Sequence, residues 1–459
     1  MSELSVSPSP ASGGISRSSV ILAADILLLG LLLAFLPFEP AANKGLALMI
    51  FIGVLWLTEA LHVTLTALLV PIMAVVLGLL EAPKALSMFA DPIIFLFFGG
   101  FALATALHIQ GIDRLLANQL LLAARGRMGV AVMMLFGVSA GLSMWISNTA
   151  TAAMMLPLAL GVLAQLDSEK DHRTFVFVLL GIAYSCSIGG LGTLVGSPPN
   201  AIAAAQLGLD FAGWMKFGIP VMLVTMPLMI GLLYLLLRPN LRHTFKVEVE
   251  TLSWTRPRLL ALAIFALTVV CWIFSTQISA ALGGVKQFDS LVALSAAVLI
   301  GACGVANWQQ IQKNTEWGVL MLFGGGLTLS AVLKESGASV VMANGMADLF
   351  GAGHWFIIIL AVAAFIIFLT EFTSNTASAA LLVPVFATVA EALGMPSALL
   401  TLVIGMGASC AFMLPVATPP NAIVFGTGQI RQSEMVRVGI WLNLLCVGIV
   451  TLFAWFVWR

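Results

Sequence analysis

Two tripeptides stand out in apolar surroundings: Ser147-Asn148-Thr149 and Ser374-Asn375-Thr376. Each offers a hydroxyl, a carboxamide and a second hydroxyl at adjacent positions. Left without partners in hydrocarbon, such groups would cost several kcal/mol. An asparagine can coordinate a cation through its oxygen and donate to a carboxylate through its nitrogen. The helix that follows each triplet presents free N–H groups and a positive dipole end, suited to an anion. A single triplet would read as helix glue or as a cap; a duplicated one points to a site. Two further segments, Gly196 to Asn200 (GSPPN) and Ala417 to Asn421 (ATPPN), read as helix breaks. Their paired prolines remove two donors and leave carbonyls free, and free carbonyls at membrane depth are natural sodium ligands.

Other polar residues in apolar runs carry less. Glu371 lies four residues before Asn375, but Met144 takes its place in the first copy, so a structural role is favoured. Glu59 and His62 read as interfacial anchors, His108 as structural, and the five cysteines as packing residues. No Lys or Arg occurs in the tripeptides or breaks. No nucleophile–base pair, metal-cluster spacing or nucleotide loop is present, so an enzyme and an ATP-driven pump are both disfavoured.

The elements that must position these residues are membrane helices. Of 459 residues 61% are hydrophobic and only 9% charged, against roughly 25% charged in soluble domains. Mean hydropathy is +1.09. The net charge of +0 gives no reason to expect a nucleic-acid partner. With about 20 apolar residues per span, ordinary passes fall near 20–38, 46–62, 64–82, 216–237, 259–281, 289–305 and 436–458. Four more, 93–122, 175–206, 316–345 and 398–428, are interrupted by Gly, Pro or polar residues. Two blocks, 130–165 and 355–391, are too long for one pass and carry the tripeptides, so they read as re-entrant hairpins. The expectation is an all-α polytopic protein of eleven passes plus two hairpins. The first segment lacks a cleavage pattern and reads as a retained span. With a cytoplasmic N-terminus, thirteen of the 20 basic residues fall inside and five outside, Arg114 and Lys334 being unassigned.

The halves repeat. Phe97, Gly99, Gly100, Leu103, Leu107 and Gly111 match Phe323, Gly325, Gly326, Leu329, Leu333 and Gly337 at an offset of 226. The run from Ser147 matches that from Ser374 at 227, and the run from Gly196 matches that from Ala417 at 221. Five passes lie between the hairpins, an odd number, so the repeat is inverted and its site belongs at the midplane. The expected divisions are a disordered cytoplasmic tail (1–19), repeat 1 (20–125 and 126–237), a cytoplasmic linker (238–258) and repeat 2 (259–350 and 351–459).

These paired motifs resemble the divalent anion/sodium symporter family, closest to its bacterial sodium–dicarboxylate, succinate-type members. The resemblance runs from about Val20 to the C-terminus. It implies sodium-coupled uptake of a small C4-dicarboxylate across the inner membrane, by a homodimer in the lipid bilayer. Each protomer would have a scaffold domain (20–125, 259–350) and a transport domain (126–237, 351–459) that moves as an elevator. By matching positions it implies at least two sodium ions. The first would be held by Ser143, Ser147, Asn148 and the Gly196 carbonyl, and the second by Thr370, Thr373, Asn375 and the Ala417 carbonyl. Substrate carboxylates would meet Asn148, Thr149, Asn375 and Thr376, with Ser197, Thr418 and Pro419 completing the pocket. Dicarboxylate exchange and citrate or sulfate carriage occur in related proteins. A sodium/proton antiporter would want buried Asp near the breaks, and none is there.

Overall fold

The computed structural model describes residues 17–112, 115, 119, 122–244, 253–350 and 354–459. Most of the expected tail, with Arg114 and Lys246, lies outside these residues. Among the described residues the chain is helical throughout, with one isolated bridge between Arg127 and Thr244. Nine of the described helices are long and apolar enough to cross a membrane, and six shorter apolar helices accompany them.

Repeat 1 contains α1 (Arg17–Phe35), α2 (Pro40–Thr58), α3 (Val63–Val76), α4 (Pro92–Ile109), α5 (Met128–Ser143), α6 (Asn148–Leu163), α7 (His172–Gly189), α8 (Pro198–Leu207) and α9 (Phe211–Leu237). Repeat 2 contains α10 (Arg256–Ile273), α11 (Phe288–Ala302), α12 (Trp317–Glu335), α13 (Ala338–Phe350), α14 (Trp355–Leu369), α15 (Asn375–Ala392), α16 (Ser397–Gly407), α17 (Pro419–Phe425) and α18 (Gln432–Phe456). Helix starts follow local chemistry. Asp91 caps α4 through the N–H of Ile93, and Asp210 caps α9 through that of Gly213. Pro40, Pro92, Pro198 and Pro419 occupy first-turn positions where no N–H is needed.

Every expected pass has its helix, with several boundaries corrected: the pass at 259–281 breaks at Phe274 into Arg256–Ile273 and Ser275–Ala281, and that at 316–345 breaks after Glu335. The second pass stops at Thr58, because Glu59 turns left-handed at φ 50° and caps the end. The third stops at Val76 rather than 82, because Gly78 takes φ 71° and turns the chain out of the helix. Both long blocks are helix pairs, α5 with α6 and α14 with α15, turning at the tripeptides.

The repeats exchange partners. Helix α4 packs on α11, and α12 packs on α3. A Cβ on Gly99 would lie 2.4 Å from the Ala293 carbonyl oxygen, and one on Gly325 would lie 2.7 Å from Ala67 backbone. These contacts are equivalent, since 226 residues separate Gly99 from Gly325 and Ala67 from Ala293. Phe97 and Phe323, equivalent to each other, meet edge to face at 4.9 Å, next to the pseudo-twofold axis. Gly99 beside Ala293 and Gln110 bonded to the Val305 carbonyl make α4 and α11 parallel. Gly318 beside Thr64 and Gly325 beside Ala67 make α12 and α3 parallel. Because α3 and α4 are consecutive passes joined by a short connector, they run oppositely. Equivalent helices therefore also run oppositely, which is an inverted repeat. At the centre stand α7, buried from Thr174 to its end, and its counterpart α16. Each leads directly into a break.

Candidate functional site

The breaks are stitched by asparagines. After α7 the chain passes through one 3₁₀ turn and an extended stretch, then re-enters a helix at Pro198. The Asn200 amide bridges that gap, donating to the carbonyls of Gly190 and Thr193, both at 2.7 Å. In repeat 2 the Asn421 amide donates to Ala411 at 3.3 Å and Leu414 at 3.0 Å. All three positions correspond at the offset of 221. These asparagines end the PPN motifs, and sequence reasoning weighed only the prolines beside them. Their duplication was the missed signal.

The hairpin tips close onto the breaks. The Ser147 hydroxyl accepts the N–H of Ala150, and Ser374 that of Ala377, so each serine caps its returning helix. Ser143 hydrogen-bonds the Asn148 carboxamide, and Thr370 the Asn375 carboxamide. The Thr370 hydroxyl also lies 2.9 Å from the Ala408 carbonyl. The Thr373 hydroxyl is engaged by the Leu369 carbonyl at 3.0 Å and the Ser378 hydroxyl at 2.7 Å. One end of the Asn148 carboxamide faces only acceptors: the carbonyls of Cys186 and Gly196, 3.1 and 3.2 Å away, and the Ser143 hydroxyl. Either the amide nitrogen turns inward and donates to them, or the oxygen turns inward and shares a cation with them. The backbone comes close here: a Cβ on Gly190 would lie 2.6 Å from Asn148 and 2.8 Å from the Gly196 oxygen, so only glycine fits.

Clamping of tip to break differs between the copies. In repeat 1 the Thr193 hydroxyl donates to the Met144 carbonyl. In repeat 2 Glu371, at the position of Met144, accepts the N–H groups of Phe412 (2.6 Å), Met413 (2.9 Å) and Leu414 (3.1 Å) and the Asn443 amide (2.7 Å). Its carboxylate is fully buried. Three consecutive N–H groups on one carboxylate form an anion nest, which is the structural role favoured from sequence.

The tips and breaks surround one cavity of about 540 Å³. Its wall includes Ser147, Asn148, Thr149, Gly196, Ser197, Thr373, Asn375, Thr376, Ala417, Thr418 and Pro419. Of the residues expected to hold sodium or substrate, Ser143 and Thr370 stand behind the wall, fully buried against their asparagines. A hydrogen bond of 2.9 Å between the hydroxyls of Ser197 and Ser409 joins the two breaks. Phe97, Phe101 and Val319 form an apolar side, and Glu59 and Glu316 add two carboxylates. Glu59 is thus part of the wall rather than only an anchor, while His62 caps α3 through Thr64. The lining contains no Lys or Arg. Positive potential comes instead from the starts of α6, α8 and α15, which open on the cavity. Among the described residues no three His, Cys, Asp or Glu side chains form a metal cluster. The tips also differ in the setting of one aromatic residue. Trp145 stacks on Phe211 and Trp272, whereas its counterpart Phe372 is 72% exposed.

Comparison with known proteins places this arrangement. The citrate transporter family profile matches residues 53–405. The sodium-dependent dicarboxylate transporter SdcS of Staphylococcus saprophyticus is 32% identical over 92% of this chain and 88% of its own. The chain belongs to the divalent anion/sodium symporter family. A Haemophilus influenzae transporter is 60% identical, over 96% of this chain and 97% of its own. The crystal structure of the Alcanivorax borkumensis YdaH transporter covers 81% of this chain and 86% of its own, at a TM-score of 0.56 and 16% identity. That likeness concerns the fold. This member of the family is therefore a multi-pass membrane transporter, not an enzyme, and its paired motifs are those on which the resemblance was drawn.

Proposed function

We propose that this transporter carries C4-dicarboxylates such as succinate, malate and fumarate into the cell with sodium. The observation that carries the reading is the twofold pair of asparagines in one cavity, each tied to oxygens and neither accompanied by a basic side chain. The first sodium ion takes Ser143, Ser147, Asn148 and the Gly196 carbonyl, and the acceptor-only end of Asn148 adds the Cys186 carbonyl to that set. The second takes Thr370, Asn375, and the carbonyls of Thr373 and Ala417. Substrate carboxylates meet the amides of Asn148 and Asn375 and the hydroxyls of Thr149 and Thr376, with Ser197, Thr418 and Pro419 around them. The sodium-dependent naming of the staphylococcal relatives supports the choice of ion and substrate class. Citrate is the second reading, favoured by the description of the matching family. The chain works as a homodimer in the inner membrane, N-terminus cytoplasmic and C-terminus periplasmic. The helices of 126–237 and 351–459 carry the site past a scaffold of 20–125 and 259–350.

The charge balance makes this testable. A dianion in a cavity without Lys or Arg must be offset by helix starts and co-bound cations. A helix start contributes at most about 2 kcal/mol, whereas a unit cation about 4 Å away contributes roughly 4 kcal/mol at an effective dielectric near 20. Removing sodium should therefore weaken succinate affinity by at least about tenfold, or 1.4 kcal/mol. Calorimetry across a sodium series, with uptake of labelled succinate and citrate into proteoliposomes in sodium and in choline, checks this. A succinate dissociation constant indifferent to sodium would overturn it.

A further inference from the structure

A second cavity, of about 460 Å³, lies at the opposite end of α4 from its inner segment. It is separated from the central one by little: Leu194 and Leu96 line it, while Val195 and Phe97, the next residues along, line the central cavity. Asp91, Asp210 and Asp289 all face this space, together with Ser275, Thr276 and Gln287. Asp91 is committed to capping α4 through Ile93. The other two come from different groups of helices. Asp210 heads α9, which packs on α7 and α18, and Asp289 heads α11, which packs on α4.

The donors around this pair are too few. Asp210 accepts the N–H of Gly213 at 2.7 Å and the Thr276 hydroxyl at 3.0 Å. One oxygen of Asp289 accepts the N–H of Phe211, the residue after Asp210, at 2.7 Å. Ser275 is within reach of both carboxylates, and its hydroxyl has one proton to give. The second oxygen of Asp289 has no partner, although the residue is only 8% exposed and lines the cavity. Neither carboxylate has a Lys or Arg in ion-pair contact among the described residues. Two neighbouring carboxylates beside two hydroxyls, one carboxylate with an unpartnered oxygen and neither with a basic partner among the described residues, have the chemistry of a hard-cation site.

We propose that Asp210 and Asp289, with the hydroxyls of Ser275 and Thr276, form a second cation site, separate from the transport site, that ties α9 to α11. The ligand is a hard, oxygen-seeking cation, calcium or sodium. Among the described residues no third carboxylate clusters with the pair, Asp91 being held at the start of α4, and no histidine lines the cavity, which argues against a transition metal. Bound there, the cation holds the two helix groups together at this end, so that it stabilises the present arrangement and slows turnover.

The test uses the purified full-length protein and two salts, calcium chloride and sodium chloride, each against choline chloride. Calcium, or sodium in the absence of substrate, should raise the melting temperature of the wild type by at least about 2 °C. Asp289→Asn and Asp210→Asn should lose the calcium increment, keep only the part of the sodium increment that the transport site supplies, and still bind succinate with the wild-type sodium dependence. Gln287→Lys, which supplies a tethered cation, should show the higher melting temperature without added salt and serves if the asparagine variants fold poorly. Loss of the calcium increment in the asparagine variants identifies calcium as the ligand. A sodium increment that shrinks in both variants, with no calcium increment in the wild type, identifies sodium. Calcium and sodium increments that both persist at full size in the two asparagine variants, or no increment from either salt in the wild type, overturn the site. Loss of sodium-dependent succinate binding in the wild type would refute the transport reading and leave this result standing.

Discussion

Asn148 and Asn375 each combine an acceptor and a donor at a point where a helix begins, and each is held by a hydroxyl five residues earlier. Asn148→Ala or Asn375→Ala should each cost on the order of 1.5–3 kcal/mol of binding, the worth of a hydrogen bond to a charged group, or about 10- to 150-fold. Sodium and succinate affinities should fall together in calorimetry, while Ala at the exposed Ser168 should leave both unchanged. Glu371 and Met144 give a contrasting pair. Glu371→Leu strands four buried donors at about 1–3 kcal/mol each, so thermal unfolding in detergent should show a loss of more than about 3 kcal/mol. Met144→Leu, at the equivalent position, keeps volume and the backbone carbonyl that Thr193 uses, and should cost less than about 1.5 kcal/mol.

Helices and breaks were legible in the sequence to the extent that chemistry marks them. Proline pairs and polar triplets interrupt apolar runs visibly, so the turns between helices at both tripeptides and both breaks fall where the sequence placed them. The ends of the second and third passes did not, because Glu59 and Gly78 act through backbone angles that hydropathy does not register. The Cys186 carbonyl at Asn148 was also invisible, since a backbone oxygen carries no residue-type signal. Nor did the glycine matches at 99 and 325 reveal by themselves what they touch. They are points where two helices meet backbone to backbone. Adding one methyl at Gly99 or Gly325 should destabilise by about 1–3 kcal/mol, as overpacking does. Gly30→Ala, with nothing within 4 Å of the added carbon, should be neutral or slightly stabilising. A melting series over these three variants decides whether the reciprocal contact carries the packing.

For the whole molecule, the exchange of partners between the repeats is the feature from which direction follows. Cysteines placed at Asp167 and Ala392, the roots of the two hairpins, on a cysteine-free background should react with impermeant reagents from opposite sides of the membrane. Labelling from one side would contradict the inversion read from α3, α4, α11 and α12. The same twofold design gives the tips their meaning. Trp145 is stacked against Phe211 and Trp272, while Phe372, its equivalent, stands bare. One architecture is thus present twice in a single chain, in two different surroundings. If the two tips trade surroundings, as the proposed carriage of the site past the scaffold would require, the cavity faces the other way. Because one tip carries an indole and the other only a phenyl ring, that trade is visible to light. In a variant that keeps Trp145 as the one indole of the chain's 11, emission would change as that ring leaves its stack on Phe211 and would stay silent about Phe372, an asymmetric reporter of which way the protein faces.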